Sequence, residues 1–264
     1  MTVLLTRRNS GFSLVEVSVV LVIVGLLLAG LLLPLGAQIE QQNMNETQRR
    51  LEMGREAIIG FAIANRRLPC PATAASLGVE SIGTAFAPGG GICSLPWTGY
   101  IPAVTLGLLP VNSAKLFVDA WGNPIRYAVT DFNTAFTVSG TAGTRPFTST
   151  DGIRAVYNTT SLTTLAPDLR VCELATAITG AGSAAADCNA ASTLISNAVA
   201  VVFSTGKNSP TGGTGSDEAA NLNTDRVFVS HTPTPTAGNE FDDVVLWLSP
   251  YLLYSRMITG GALP

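Results

Sequence analysis

Residues 7–16 read RRNSGFSLVE and begin an apolar run that continues to Leu33. Between Val17 and Leu33 the run has no formally charged side chain. Counted from Phe12, the run has 22 residues. As a helix it is about 33 Å long, close to the roughly 30 Å hydrocarbon core of a bilayer. The sequence therefore predicts a helix that can span a membrane.

The charges around this run predict its orientation. Arg7 and Arg8 precede it, and no comparable basic cluster follows it directly. Because basic residues tend to stay on the cytoplasmic side, we expect residues 1–11 in the cytoplasm and the rest of the chain outside it. A cleavable secretory signal is the alternative, with small-residue cut sites at residues 29–30 or 36–37.

Glu16 is the feature that a plain anchor does not explain. A charged side chain at the centre of a membrane helix costs about 2.5–3.5 kcal/mol, and less toward the interface, so a partner is expected. If the chain were cut between Gly11 and Phe12, the new amine of Phe12 would be cationic at neutral pH. A carboxylate four residues along a helix does not readily fold back to its own N-terminus, but it can meet the amine of a neighbouring helix. The sequence predicts that the apolar helix assembles with other copies.

This segment resembles the leader of type IV prepilins. The resemblance rests on the short basic leader, on Gly11 before Phe12, and on Glu16 as the fifth residue from Phe12, all ahead of a spanning helix. It implies that a prepilin peptidase cuts after Gly11 and N-methylates Phe12. It also implies that Glu16 pairs with the N-terminal amine of an adjacent subunit.

A second resemblance lies at residues 119–127, DAWGNPIRY. The stretch is similar to the D-x-W-G-x-P-x-x-Y segment of major pseudopilins from type II secretion systems. The residues by themselves indicate a structural corner, in which Gly-Asn-Pro makes a turn and Trp121 anchors against the helix.

Beyond the apolar run, an amphipathic helix is predicted. Met44, Leu51 and Ile58 recur at a spacing of seven, which is typical of one helix face. The sequence RRLP at residues 66–69 is a stop signal. Pro34 and Gly36 are expected to interrupt the helix near the outer end of the apolar run.

From residue 68 onward, short apolar runs alternate with Gly, Pro, Asn and Thr clusters, which predicts a strand-rich domain. A short terminal helix is predicted at residues 252–258. The predicted strands are 125–129, 136–139, 153–157, 198–204, 226–230 and 243–248.

The predicted fold class is therefore α+β, with a long N-terminal helix packed on a C-terminal antiparallel β-sheet domain, as in pilins. The predicted segments are a cytoplasmic leader at 1–11, a transmembrane and assembly helix at 12–36, an amphipathic continuation at 37–67, and a periplasmic globular domain at 68–264.

The amino-acid composition argues against one class of function, nucleic-acid binding. The 264 residues are 47% hydrophobic and only 12% charged, with a net charge of -3. Because no run of like charges is present to neutralise phosphates, direct nucleic-acid binding is not expected.

The cysteines predict disulfides. An exported domain favours oxidation, and four cysteines allow three pairings. Proximity in sequence favours Cys70 with Cys93 and Cys172 with Cys188. Each bridge would contribute on the order of 3 kcal/mol in the chain-entropy model.

The loop at residues 206–225 is a candidate metal site. Its glycines and the acids Asp217, Glu218 and Asp225 follow a predicted strand. Hard oxygen ligands on such a loop suit Ca²⁺. Its placement resembles the calcium loop of major pseudopilins, although the acids here are more widely spaced. A solvated loop whose acids face water is the alternative.

Enzyme chemistry finds little support in the sequence. The Gly-Lys pair at residues 206–207 has no P-loop glycine upstream, and no G-x-S-x-G motif is present. His231 is interpreted as an isolated surface histidine. Asp242 and Asp243 are interpreted as the start of a strand or helix and not as a carboxylate dyad; in a strand, alternation would point them to opposite faces.

The sequence therefore predicts a pilin-like subunit of a type IV pilus or a type II secretion pseudopilus, not an enzyme. A mature chain of 264 minus 11, or 253, residues is long for a major pilin, which favours a minor or specialised subunit. Expected partners are the prepilin peptidase, other pilin or pseudopilin subunits, the inner-membrane assembly platform and the lipid bilayer. The expected location is the bacterial inner membrane, single-pass, and then an extracytoplasmic filament. The alternative is a membrane-anchored extracytoplasmic binding module whose anchor stays uncleaved.

Overall fold

The structure is a computed structural model. It describes residue 11 and residues 13–83, 91–131, 145–183, 185–209, 215–236 and 238–264; for residues 28–35 it describes the backbone alone. The chain forms two compact units, Met1–Asn45 and Glu46–Pro264. The predicted strand at residues 136–139 lies outside the described residues.

Helices and strands are labelled in chain order. The helices are α1 (Leu14–Asn65), α2 (Ala103–Leu106), α3 (Gly152–Thr159), α4 (Ser216–Asn221) and α5 (Pro250–Thr259). The strands are β1 (Gly99–Tyr100), β2 (Arg126–Val129), β3 (Leu169–Cys172), β4 (Ile178–Thr179), β5 (Asp187–Cys188), β6 (Thr193–Ala198), β7 (Ala200–Ser204), β8 (Val227–Val229) and β9 (Val244–Leu248). Turns of 3-10 helix lie at Leu162–Thr164, Ala175–Ala177 and Ala190–Ser192.

The helix α1 is continuous, so the interruption predicted at Pro34 and Gly36 is wrong at the level of secondary structure. A proline removes one backbone donor, and the leucines around it favour the helical state on either side. The predicted stop is confirmed. α1 ends at Asn65, and Arg66 then adopts a left-handed conformation with φ 56°.

The part of α1 in the second unit has a buried face. Leu51, Ile58 and Ala62 are completely buried, at positions that lie on one side of a helix. They belong to one hydrophobic cluster with side chains of β2, β7, β9 and α5. The second unit is therefore held together by a helix packed on a sheet, and the predicted α+β class is confirmed.

The sheet on which α1 packs has the strand order β1-β2-β7-β9 and is antiparallel throughout. Its central strand β7 is buried along its length. Ala200 and Val202 join the cluster with α1, while Val201 and Phe203 join a second cluster on the other face. A second sheet has the order β6-β3-β8, in which β3 and β8 are parallel, and β4 and β5 form a hairpin.

Most of the predicted strands are confirmed. The predictions at 125–129, 226–230 and 243–248 correspond to β2, β8 and β9 within one residue at each end. The prediction at 198–204 corresponds to β7 together with the last residue of β6. The predicted terminal helix at 252–258 lies inside α5.

The strand predicted at 153–157 is wrong, because these residues form α3. Ile153 and Val156 are the buried side chains of this stretch. Residues three apart share a face in a helix, whereas in a strand they point to opposite sides. The spacing of the buried pair is therefore helical.

Both predicted disulfides are present. Cys70 pairs with Cys93, with their Cα atoms 5.3 Å apart. Cys172 pairs with Cys188, with their Cα atoms 5.7 Å apart, and joins β3 to the hairpin strand β5.

The segment 119–127 forms a corner, as the sequence indicates. The buried carboxylate of Asp119 accepts hydrogen bonds from the backbone N–H groups of Trp121 and Asn123 and from the Ser204 hydroxyl. Burial raises the pKa of the Asp119 carboxyl, and the Ser204 hydrogen bond opposes that rise. The guanidinium of Arg50 on α1 donates to the carbonyl of Asp119 at 2.7 Å. The corner is therefore tied to the helix through backbone contacts.

Candidate functional site

The first candidate site is the beginning of α1, where Ser13 and Glu16 form a capping box. The Ser13 hydroxyl accepts a hydrogen bond from the Val15 N–H at 3.4 Å. In return, a carboxylate oxygen of Glu16 accepts the Ser13 N–H at 2.9 Å. This reciprocal pattern satisfies backbone donors that a helix start otherwise leaves without a partner.

The Glu16 carboxylate reaches back within its own chain to Ser13, because Ser13 lies before the first helical residue, Leu14, and its N–H is free of the intrahelical ladder. The donor in this contact is the Ser13 backbone and not the amine expected at Phe12. Sequence reasoning missed this contact, although Ser-x-x-Glu ahead of an apolar run is its signature. Glu16 thus has a local role as a cap whatever its role between chains.

The predicted cut site lies between Gly11 and Phe12. Gly11 is exposed, and a Cβ at this position would meet no atom within 4 Å. Phe12 lies outside the described residues.

The surface of α1 after Glu16 is apolar and open. Eleven large apolar side chains from Leu14 to Leu27 are between 43% and 88% exposed in the single chain. They are Leu14, Val15, Val17, Val19, Val20, Leu21, Val22, Ile23, Val24, Leu26 and Leu27. Exposed apolar surface of this extent marks a site that another molecule or a membrane covers.

Among the described residues, no helix has the length and hydropathy that a membrane-spanning helix requires.

The second candidate site is a group of three acids in the second unit, Glu218, Asp242 and Asp243, here called the acidic cluster. Each residue offers a carboxylate oxygen, and these oxygens lie within 4.8 Å of one another. Glu218 is fully buried on α4, and Asp243 is 4% exposed just before β9. Asp242 is partly exposed, so the acidic cluster is open to solvent on one side.

The hydrogen bonds around the acidic cluster fix its carboxylates. Both oxygens of Glu218 accept from the Asn208 amide at 2.9 Å. One of them also accepts the Asp242 N–H at 2.9 Å. Asp242 accepts the backbone N–H groups of Lys207 and Asn208 through one oxygen, and Asp243 accepts the Asn221 amide through one oxygen at 2.7 Å. The other oxygens of Asp242 and Asp243 are buried without a hydrogen-bond partner.

The environment shifts the pKa of two of these acids. Burial, with the nearby charge of Glu218 as a further cause, raises the pKa of Asp242 to about 6. Burial raises the pKa of Asp243 to about 8; the Asn221 hydrogen bond opposes the rise, and the charges of Glu218 and Asp242 add to it. Both shifts have the sign expected when carboxylates are desolvated beside like charges.

Asp242 and Asp243 directly precede β9, as predicted for the start of a strand, but the expectation that they do not form a carboxylate pair is wrong, because both belong to the acidic cluster. Strand alternation does not apply to them, because β9 begins only at Val244. Sequence reasoning missed both acids as candidate ligands. The available signal was an adjacent acid pair directly before an apolar strand.

The predicted metal set of Asp217, Glu218 and Asp225 is not brought together as one group. Asp217 accepts the Ala175 N–H at 2.7 Å and contacts His231 at 3.2 Å. Asp225 accepts the N–H groups of Gly182 and Val227 at 2.7 and 2.8 Å. Of the three, Glu218 alone belongs to the acidic cluster.

The interpretation of His231 as an isolated surface residue is also wrong. Its side chain is 13% exposed and contacts Asp217. Its ring stacks on Phe241, with 3.9 Å between the ring centroids.

Comparison with known proteins addresses the first site. Residues 6–32 match the family model of the prokaryotic N-terminal methylation motif. The chain carries a prepilin-type N-terminal segment. This is the motif of type IV pilins and pseudopilins, and the resemblance inferred from the sequence is confirmed.

The prepilin-type segment contains Gly11, Phe12 and Glu16 and ends within α1. In this respect the protein is pilin-like, and the motif implies a structural subunit. No curated protein matches the chain. No solved structure matches it.

Proposed function

We propose that this protein is a subunit, of the minor or specialised kind, of a type IV pilus or a type II secretion pseudopilus. A prepilin peptidase cleaves the chain after Gly11 and N-methylates Phe12. The mature chain then assembles through its N-terminal helix. The observation that carries the proposal is the methylation motif at residues 6–32 on a helix whose apolar surface is open.

The open apolar surface supports two successive environments for the helix. In the precursor, residues 12–36 lie in the inner membrane, with residues 1–11 in the cytoplasm and the amphipathic segment 37–67 and the globular domain 68–264 in the periplasm. In the filament, neighbouring helices replace the lipid around the same side chains. A repeated contact that does not close generates a fibre.

The contacts of Glu16 support a change of partner between these environments. In the single chain, one carboxylate oxygen accepts the Ser13 N–H at 2.9 Å. A hydrogen bond to a neutral donor leaves the negative charge in place, whereas a protonated amine neutralises it. The new Phe12 amine of a neighbouring subunit supplies that charge, so cleavage favours assembly.

The partners in this proposal are the prepilin peptidase, other pilin or pseudopilin subunits, the inner-membrane assembly platform and the lipid bilayer. None of them requires a catalytic group on this chain.

Intact-mass analysis of the membrane fraction tests the proposal. We expect the mass of the chain without residues 1–11 and with one added methyl group. Phe12→Ala, analysed in the same way, tests whether the added methyl group depends on the side chain at this position. A native chain that retains Met1 would contradict the proposal.

The rival function is a membrane-anchored binding module, for which the open surface of α1 is lipid-facing alone. The same measurement separates the two functions, because a plain anchor keeps its leader. A cut between residues 29 and 30 or 36 and 37 would identify an ordinary secretory signal instead.

A further inference from the structure

An apolar groove lies open beside α2 in the second unit. Leu77, Val104 and Leu109 are between 52% and 70% exposed, and they line this groove together with Val111 and Lys115. Its volume is about 590 Å³. Large apolar side chains that adjoin one another at the surface mark a site that another molecule covers.

Two residues of the groove have a backbone conformation that is unfavourable for side chains with a Cβ atom. φ is 51° at Leu77 and 61° at Lys115, both in the left-handed region. The two turns are packed closely, because a Cβ at Gly78 would lie 2.1 Å from the Lys115 carbonyl oxygen. The Gly78 carbonyl also accepts the Val104 N–H at 2.8 Å. Strained backbone of this kind is concentrated at binding sites, which supports a binding role for the groove.

Lys115 gives the groove a positive charge. Its side chain is exposed, and within the described part of the chain it forms no ion pair. Surfaces that bind each other are arranged so that opposite charges meet. The groove therefore fits an apolar side chain that has a carboxylate next to it.

A surface with this chemistry follows β3 on the same chain. Glu173 is exposed, and among the described residues it has no ion-pair partner. The next residue, Leu174, is 44% exposed. Leu194, near the start of the neighbouring strand β6, is 47% exposed. An acid and exposed apolar side chains thus occur together at this end of β3.

We propose that Glu173 and Leu174 of a second copy dock in the groove, with the Glu173 carboxylate paired with the Lys115 ammonium group. A second copy is the occupant because the two surfaces are complementary in charge and in apolar character, and because both are exposed in the single chain. The groove and its occupant are different surfaces, so the contact is heterologous, and such contacts build open fibres when the rotation does not close. The inference rests on the proposed filament and adds to it a contact outside the N-terminal segment.

Exchange of the two charges tests the proposal in sheared filaments of the full chain. Lys115→Glu and Glu173→Lys each place like charges opposite each other, so we expect each to lower incorporation about fivefold. The double variant Lys115→Glu, Glu173→Lys restores opposite charges and should return incorporation to near the wild-type level. Because both side chains are exposed, all three variants should keep the wild-type melting temperature.

Glu240→Lys is the matched control. Glu240 is also exposed and forms no ion pair within the residues that the structure describes, but its chain neighbours are Asn239 and the buried Phe241. The control should keep wild-type incorporation, and it should not rescue Lys115→Glu. Normal incorporation of Lys115→Glu, or a double variant as defective as the single ones, would overturn the proposal.

A cysteine cross-link gives a second measurement, which does not depend on the charges. Filaments of the double variant Leu109→Cys, Leu174→Cys are oxidised with copper phenanthroline and analysed on non-reducing gels. We expect a ladder of multimers, because a heterologous contact links each copy to the next, whereas each single variant should give no ladder. Filaments without the ladder, or a product that contains a different subunit, would overturn this inference alone. Absence of wild-type filaments would overturn the proposed function as well.

Discussion

Glu16 and Glu218 are acids in two regions that use negative charge in different ways. Glu16 is exposed in the single chain on an apolar helix, and it accepts a hydrogen bond from the backbone three residues earlier. Glu218 is fully buried, with its oxygens hydrogen-bonded to Asn208 and Asp242 and with two acids as neighbours. An acid on an open apolar surface calls for a partner on another chain, whereas the acids of the buried group accept hydrogen bonds from amide side chains of their own chain.

The largest effect on filament assembly is expected from a change at Glu16. Glu16→Gln keeps an oxygen that can accept the Ser13 N–H but removes the charge. We expect at least a tenfold loss of incorporation into sheared filaments, because a neutral amide does not neutralise an amine; tenfold corresponds to about 1.4 kcal/mol. Immunoblots of filament and membrane fractions measure the loss.

The control for this prediction is the precursor. Cleavage after Gly11 should continue in Glu16→Gln, and the melting temperature of the globular unit should stay at the wild-type value. Normal incorporation of Glu16→Gln would contradict the pairing of Glu16 with an amine of another subunit, and Glu16 would then act only as a helix cap.

A change in the second region should act on stability and not on processing. The double variant Cys172→Ser, Cys188→Ser removes a bridge with a sequence separation of 16. In the chain-entropy model this costs about 3 kcal/mol of unfolding free energy. Urea unfolding of the purified chain measures the loss, and intact-mass analysis should still find the cut after Gly11. A variant that stays uncleaved would show that the two regions are coupled.

A second loss of stability is expected at Asn221, which holds Asp243 of the acidic cluster. Asn221→Ala removes the donor to Asp243 and the acceptor of the buried Val229 N–H. Leaving such groups unsatisfied costs about 1–3 kcal/mol each. Asn223→Ala is the control, because its side chain bonds to Asp225 and not to the acidic cluster. Equal destabilisation by the two variants would contradict the inference that Asn221 stabilises the fold through the acidic cluster.

The smallest effect is expected at Ser13. Ser13→Ala removes the hydroxyl that accepts the Val15 N–H, which typically costs about 1 kcal/mol at a helix N-cap. Circular dichroism of the full chain in detergent should show slightly more fraying, and incorporation should fall far less than in Glu16→Gln. A loss as large as that of Glu16→Gln would indicate that capping, not charge, governs assembly.

The features that could be predicted from the sequence are those whose residues lie close together in the chain. The prepilin-type motif can be recognised without a structure, because Gly11, Phe12 and Glu16 are close in sequence. Both disulfides join neighbouring cysteines, and proximity predicts them.

The sequence did not predict features that depend on contacts between residues far apart in the chain. It also gave the wrong secondary structure where a short apolar stretch fits both a helix and a strand. The acidic cluster brings together residue 218 and residues 242–243. The sequence around either of these positions does not indicate that they lie close together in the fold. Ile153 and Val156 lie in a stretch short enough to fit a strand, and packing decides for the helix. The contact of Arg50 with the corner at Asp119 spans 69 residues and is equally invisible in sequence.

In the proposed filament the Glu16 carboxylate pairs with the Phe12 amine of another subunit, whereas in the single chain it accepts the Ser13 N–H. Treatment of assembled filaments with a membrane-permeant carbodiimide, which joins a carboxylate to an amine in contact with it, tests this claim most directly. We predict a product with the mass of two chains less one water for the amide formed, linked between Phe12 of one and Glu16 of the other. A product with the mass of one chain less one water, linked within the same subunit, would contradict it.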